Sequence, residues 1–550
     1  MKKTKNIVLV VLLVLVVGFI YYYIALPPIN IHAQGFWYFI ISLLAIVTVI
    51  CLISTAIKNV KSHGRNQSLN DLVINASDFK SKRVLITFGI TITAIVIFII
   101  GSILSSPIVN ASKYQKLINI ETRDFLTDIE EISYNEIPLL DKDSAMLLGS
   151  RKMGSMVEYV SQFEVSNAYT QINYNGSPVR VTPLEYGSIF KWISNHSEGI
   201  PAYIRIDMST QDVECIKLEK GIRYSKSDLF GRNLYRYLRF RYPTYIFDEP
   251  SFEIDDSGVP YWVCPVKDYS IGLFGGETIS NVVLVNAITG DHTNYKVEDV
   301  PTWVDHVYSA DLLISYYDYY GTLKHGYWNT LFSQKDCLKT TAGYNYIALE
   351  DDVWVYTGIT SVGGDESNVG FVLMNQRTAE TRYYEVSGAE EYSAMSSAEG
   401  QVQHLGYKAT FPLLLNINNE PTYFLALKDE SGLVKKYAMV NVAKYQIVAI
   451  GDSALECEKT YTTLLRSSGI TVTQDTERQS ITGQITKIAE AVIEGNSHYY
   501  VMLNNSNEIF DVTIGNVIDM MKYDVGSIVT FTYTKGIDCN TVVSIGNIEE

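Results

Sequence analysis

Three uncharged apolar runs open the chain, and a long tract of alternating apolar and polar positions follows them. Residues 7–26 (IVLVVLLVLVVGFIYYYIAL), 36–57 (FWYFIISLLAIVTVICLISTAI) and 84–105 (VLITFGITITAIVIFIIGSILS) each hold about 20 residues, enough for a helix to cross a hydrocarbon core of roughly 30 Å. The first run is too long for the core of a cleaved signal peptide, and two more follow it, so three spans are predicted. The loop between the second and third carries Lys58, Lys61, Arg65, Lys80, Lys82 and Arg83 against Asp71 and Asp78, whereas the turn 27–35 has no charged residue. Positive loops stay in the cytoplasm, which puts the N-terminus inside and residues 109–550 outside the cell membrane. Tyr21, Tyr22, Tyr23, Trp37 and Tyr38 form an aromatic belt at the outer interface.

Beyond the third run the pattern is that of strands and turns, rich in Tyr, Val, Ile and Thr and punctuated by Gly, Asn and Asp. It repeats. Residues 282–297 (VVLVNAITGDHTNYKV) align without a gap with 371–386 (FVLMNQRTAETRYYEV), and fainter copies stand at 206–212 (IDMSTQD) and 440–446 (VNVAKYQ). Each predicts an antiparallel hairpin: an apolar strand ends in Asn or Asp, whose side chain accepts from the backbone ahead, and a second strand returns. A further extended stretch precedes each one, at 200–206, 259–266, 352–359 and 421–428. Helices are predicted at 182–196, with Thr182 as cap and Pro183 in the first turn, and at 229–241; no clear helix precedes the two later copies.

Helix, strand, strand and a hairpin with a V-[ND]-x-x-T-G-[DE] turn resembles the PepSY domain, a small α+β module of secreted and membrane-attached bacterial proteins. The match is best at 230–298, with SFEIDDSGVPYWVCPV and NVVLVNAITGD in the family's order and an insertion, KDYSIGLFGGETIS, between two strands. It continues at 179–225, with Asp207, Thr210 and Asp212 at the turn. The resemblance implies restraint of proteases or regulation in the envelope. Residues 481–550 read as five strands with a short helix before the fourth, which resembles an OB-type barrel. The expected organisation is a membrane-anchored α+β protein. It comprises a three-span anchor (1–108), a connecting region (109–178), PepSY-like units (179–228 and 229–310), hairpin units (311–395 and 396–475) and an OB-like barrel (480–550).

Charge narrows the partners. The anchor has nine basic and two acidic residues, leaving 35 and 58 in the remainder, a net of −23. Such a body disfavours nucleic acid and anionic lipid, and the barrel segment, with three Lys, no Arg and nine acids, is no exception. Outside the spans, Cys215, Cys264, Cys337, Cys457 and Cys539 are odd in number and widely spaced, so they read as buried apolar residues rather than a disulfide framework or zinc site.

Candidate chemistry is sparse. IVAIGDS (447–453) looks like the opening block of GDSL-type serine hydrolases, with Ser453 as nucleophile. The repeat assigns it instead to the outgoing strand of the fourth hairpin, and the Asp-x-x-His that a serine needs for its base is missing downstream. Asp291-His292 and Asp305-His306 lack metal-ligand spacing, and GGDESN (363–368) and ALEDDVW (348–354) read as solvated turns. Trp262, Trp303, Trp328 and Trp354 read as sheet packing before sugar platforms. The glycine-rich GLFGG (272–276) has no following Lys and reads as a mobile loop displaying Leu273 and Phe274 to a partner. No catalytic, cofactor or metal residue is assigned. The sequence therefore predicts an integral envelope protein with a non-enzymatic binding, scaffolding or regulatory ectodomain, its partner another envelope protein or a wall polymer. The alternatives are a serine-type envelope hydrolase and a binder of wall polysaccharide.

Overall fold

The computed structural model describes residues 15–63, 81–130, 137–363, 367–468, 470, 479–493, 496–514, 517–535 and 539–546. The chain forms two compact units, 1–469 and 470–550.

The first unit begins with three apolar helices, α1 (Leu15–Ala25), α2 (Gln34–His63) and α3 (Lys82–Ser105). Of these α2 and α3 are long and apolar enough to cross a membrane. The first predicted span is described only from Leu15, and most of the basic loop between α2 and α3 lies outside the described residues. Few apolar side chains of either helix are buried, and most of those on α3 are exposed. Thr48 Oγ1 meets Thr91 Oγ1 at 3.4 Å between the two, and Trp37, Tyr38 and Phe98 pack at one end.

The body holds the same four-stranded antiparallel meander four times. The strands are Thr170–Tyr174, Ser177–Tyr186, Ile200–Asp207 and Val213–Ile222 in the first repeat, and Ser251–Ile254, Pro260–Ile271, Gly275–Asn286 and His292–Lys296 in the second. The third has Asn345–Leu349, Asp352–Ser361, Gly370–Asn375 and Thr381–Tyr384; the fourth has Leu413–Ile417, Glu420–Lys428, Val434–Asn441 and Val448–Gly451. A helix precedes each: Lys142–Ser155, Leu234–Arg241, Ala310–Thr322 and Glu391–Gln401.

The repeats share more than strand order. Asp207, Asn286, Asn375 and Asn441 end the third strands, and they pair with Val179, Tyr261, Trp354 and Thr422 of the second in one register. In the first three, the side-chain oxygen accepts from the backbone two and three residues on, at 2.8–3.0 Å. Thr210, Thr289 and Thr378 then accept from the N–H of Asp212, Asp291 and Glu380. The fourth turn is one residue longer, and Asn441 accepts from Lys444. The short Asn and Asp side chains supply local partners that a tight turn would otherwise leave to water.

Adjacent sheets pack through alternate faces. Trp262, Cys264, Val283 and Val285 of the second sheet share a core with the first, whereas Val263, Val282 and Leu284 share one with the third and with helix Ala310–Thr322. The third and fourth join through Tyr356 Oη to Pro412 O (2.6 Å) and Asn368 Nδ2 to Tyr423 Oη (3.1 Å). The fourth returns to the first through Gln211 Nε2 to Tyr437 Oη (3.0 Å), and Lys428 pairs with Asp141 ahead of the first repeat. The four sheets thus surround a common centre. Ile120–Arg123 adds a parallel strand to the edge of the third.

Two local readings change. The helix expected over 182–196 is a strand to Tyr186 followed by a short helix, Ile189–Asn195, capped by Ser188. Pairing with Ile200–Asp207 overrides the Thr-Pro start signal. Helices precede the two later repeats after all. Glu391–Gln401 has only small residues to bury (Ala394 and Ala398, beside Glu391), and Ala310–Thr322 is dense in Tyr, so neither carries a readable apolar stripe.

The second unit is a closed five-stranded barrel of Gln479–Ile493, Asn496–Leu503, Ile509–Thr513, Ile528–Thr534 and Asn540–Gly546. The fourth strand closes on the first, and the third pairs with the fifth in parallel. Val501, Phe510, Val529 and Phe531 fill it.

Candidate functional site

Where the four repeats converge, a cavity of about 420 Å³ is lined by Thr170, Gln171 and Arg180 of the first repeat and Ser251 of the second, with His306 just beyond it. Tyr344, Asn345 and Tyr346 come from the third repeat, Phe411 from the approach to the fourth, and Asp141, Lys142 and Asp143 from the start of helix Lys142–Ser155. Its lining combines the rings of Tyr169, Tyr344, Tyr346 and Phe411 with the buried Arg180 and the exposed Lys142 and Asp143.

Arg180 is the unusual member. It is 4% exposed, and burial lowers its pKa. Its Nη2 donates to Gln171 Oε1 at 3.1 Å, while Arg180 Nε and Gln171 Nε2 are buried donors without an acceptor. Among the described residues no carboxylate pairs with it; Asp141 and Asp143 favour its charge only from a distance. Asp141 is engaged by Lys428 at 2.5 Å and caps its helix at Ser144 N. A buried guanidinium without an anion is costly. The cavity can therefore take an oxyanion against the guanidinium.

Beneath the cavity, buried acids fix the neighbouring loop. Glu253 accepts from Asp305 N (2.9 Å), His306 N (3.2 Å) and Ser251 Oγ (2.9 Å). His306 Nε2 donates to Gln171 O at 2.6 Å and so holds the backbone of a cavity residue. Asp305 Oδ2 accepts from Asn173 N at 2.8 Å, and its Oδ1 has no partner. Burial, and then the Glu253 charge, hold the Asp305 pKa well above the usual carboxylate range. A carboxyl raised on folding gives stability that is full below its unfolded pKa and is lost as pH rises through the folded value. Asp305→Asn mimics the protonated form, so the variant should lose less stability than wild type between about pH 4 and neutrality. Urea midpoints across that range check this; parallel curves would contradict it.

The residues singled out from sequence are scattered. Leu273 and Phe274 form the tip of a hairpin that lies against the chain's own apolar helices rather than on a free loop. Their N–H groups donate to Ser105 Oγ (2.7 and 3.0 Å), Leu273 O meets His32 Nδ1 (2.9 Å), and Phe274 packs on Phe98 and Trp37. Ser453 is a helix cap, its hydroxyl accepting from Glu456 N at 3.2 Å ahead of helix Ala454–Ser467, while Asp452 pairs with Lys436. Asp291 is engaged by Thr289 and His292 packs edge-on to Tyr237 and Tyr242, so the two Asp-His pairs do not converge. Within GGDESN, residues 364–366 lie outside the described residues. Trp262 and Trp354 are buried in sheets, whereas Trp328 is exposed. The cavity is hidden in the sequence because Thr182-Pro183 signals a helix start; the alternation of Val179, Arg180, Val181 and Thr182 is the strand signal that competes with it.

No family model matches the chain, and no curated protein does either. Among solved structures, a β-fructofuranosidase of Bombyx mori is similar at 9% identity and TM-score 0.17, covering 72% of this chain and 68% of that one. A mutant apocarotenoid oxygenase of Synechocystis is similar at 8% identity and TM-score 0.14, covering 72% of this chain and 66% of that one. Likeness at this level carries no argument about fold or activity.

Proposed function

We propose that this chain is a membrane-anchored envelope protein whose ectodomain binds a small oxyanionic ligand in the cavity between its repeats, as a non-enzymatic sensor or regulator. The observation that carries the reading is Arg180, a buried cation with no carboxylate partner among the described residues, in a cavity lined by the first three repeats and the approach to the fourth. Asp141 is paired with Lys428, and Lys142 stands beside Asp143, so among the described residues of the lining Arg180 is the one uncompensated charge and a monocarboxylate matches it better than phosphate. The aromatic walls suit an apolar or ring-bearing remainder.

The apolar faces of α2 and α3 support the anchor, with α1 as a third span and the body outside the cell as the loop charges require. The helix, sheet and Asx-turn order on which the PepSY resemblance rests recurs in each repeat, and the barrel's strand order suits an OB-like module. Thermal unfolding of the full chain in detergent, with acetate, benzoate, glutamate, phosphate or sulfate against chloride at equal ionic strength, tests the ligand reading. A saturable rise with a monocarboxylate is expected, about 2.7 kcal/mol at a hundredfold excess over Kd. No shift with any anion would contradict it.

A further inference from the structure

Two exposed aromatic patches flank the point where the body meets the apolar helices. The first is on the second repeat. Phe230 is 63% exposed at φ +53°, a left-handed backbone that a bulky L-residue adopts only under steric strain. It packs beside Trp192, whose short helix also exposes Phe190 and Ile193. The carbonyl of Phe230 accepts from Arg236, whose guanidinium covers the ring of Tyr23 on α1 at 4.3 Å. The next turn seats Phe240 against Tyr22, and Arg239 donates to Leu26 O at 2.8 Å. The second patch is a stack of Trp328 and Phe332 (5.9 Å apart), with Leu331 beside them; Phe332 is 78% exposed. Its helix, Tyr327–Leu331, packs on Pro107–Tyr114, the helix that leaves α3 directly. Both patches therefore border the same end of the apolar helices, where α1 ends and α3 ends.

Charge agrees. Residues 223–241 hold Arg223, Lys226, Arg232, Arg236, Arg239 and Arg241 against Asp228 alone, in a body whose net charge is −23. Among the described residues Arg232, Arg236 and Arg241 make no ion pair; around the second patch Lys324 and Lys335 stand near Asp336, and Lys339 near Asp318.

We infer that both patches dip into the membrane interface, their rings at the acyl boundary and the neighbouring cations on lipid phosphates. The body would then rest on an anionic lipid surface at two points besides its spans. The inference rests on α2 and α3 being membrane spans and is independent of the ligand cavity.

The test uses the full chain with Cys51, Cys215 and Cys539 changed to Ser, reconstituted into phosphatidylcholine–phosphatidylglycerol vesicles. Phe230→Cys, Phe332→Cys and, as a control in an exposed turn of the fourth repeat, Ser431→Cys carry an NBD label. A nitroxide at the shallow acyl position of the phosphatidylcholine should quench positions 230 and 332 several-fold more than 431. Leu331→Cys replaces Phe332→Cys if that variant expresses poorly. Quenching equal to the control at either patch overturns the inference. A chain that fails to float with vesicles after an alkaline wash overturns the span reading beneath it.

Discussion

Replacing Arg180 by methionine is expected to stabilise the ligand-free chain. The guanidinium is buried on strand Ser177–Tyr186 with one hydrogen bond, to Gln171, and an unpartnered Nε. Methionine has similar length and no charge to desolvate. Replacing buried charged groups by well-packed apolar side chains of similar volume is often neutral or stabilising by about 1–4 kcal/mol. Against this, Gln171 Oε1 loses its donor, at about 1 kcal/mol. The expected net is a gain of roughly 1–2 kcal/mol, seen as a higher urea midpoint in buffer free of organic anions. Such a gain is the signature of a residue kept for binding rather than for the fold. A loss of more than about 2 kcal/mol would show that Arg180 serves as a structural partner.

Gly275→Ala should have the opposite effect, and a local one. A Cβ at Gly275 would run into Ser105 O and Tyr114 Oη, and it would stand 2.9 Å from Ile271 O. Two of these three obstacles are backbone, and the third is a hydroxyl already donating to Ser105 O at 2.6 Å. None can yield cheaply, so the hairpin tip must lift from α3 and give up the Ser105 bonds to Leu273 and Phe274. A cost of about 1–3 kcal/mol is expected. Hydrogen exchange should rise at the amides of 271–276 and 101–106 while the barrel, 479–546, is unchanged. Uniform protection in both would mean that the tip is not docked.

How much of this was legible in the sequence varies with the range of the interactions. Apolar runs announce α2 and α3 because lipid-facing helices need no partner to be recognised. The Asx turns at Asn286 and Asn375 were readable because the side chain and the N–H groups it satisfies lie within three residues of each other. The same repeat placed Ile447–Ile450 in a hairpin, and Ser453 stands just past its last strand as a cap. What failed depends on distant pairing. Thr182-Pro183 looks like a helix start until Ile200–Asp207 lies beside it. Leu273 and Phe274 look free until Ser105, some 170 residues earlier, is brought under them (residue separations of 168 and 169). Arg180 gives no sign of lacking a counterion, since that is a property of every chain segment around it.

The account turns on that missing counterion, and one measurement reaches it most directly. The melting temperature of wild type and Arg180→Met, each titrated with benzoate against chloride at constant ionic strength and with acetate, glutamate, phosphate and sulfate in parallel, isolates the anion-dependent part at this residue. The account predicts a saturable rise with a monocarboxylate in wild type and a flat response in the variant. Equal responses in the two proteins, or none in either, would contradict it.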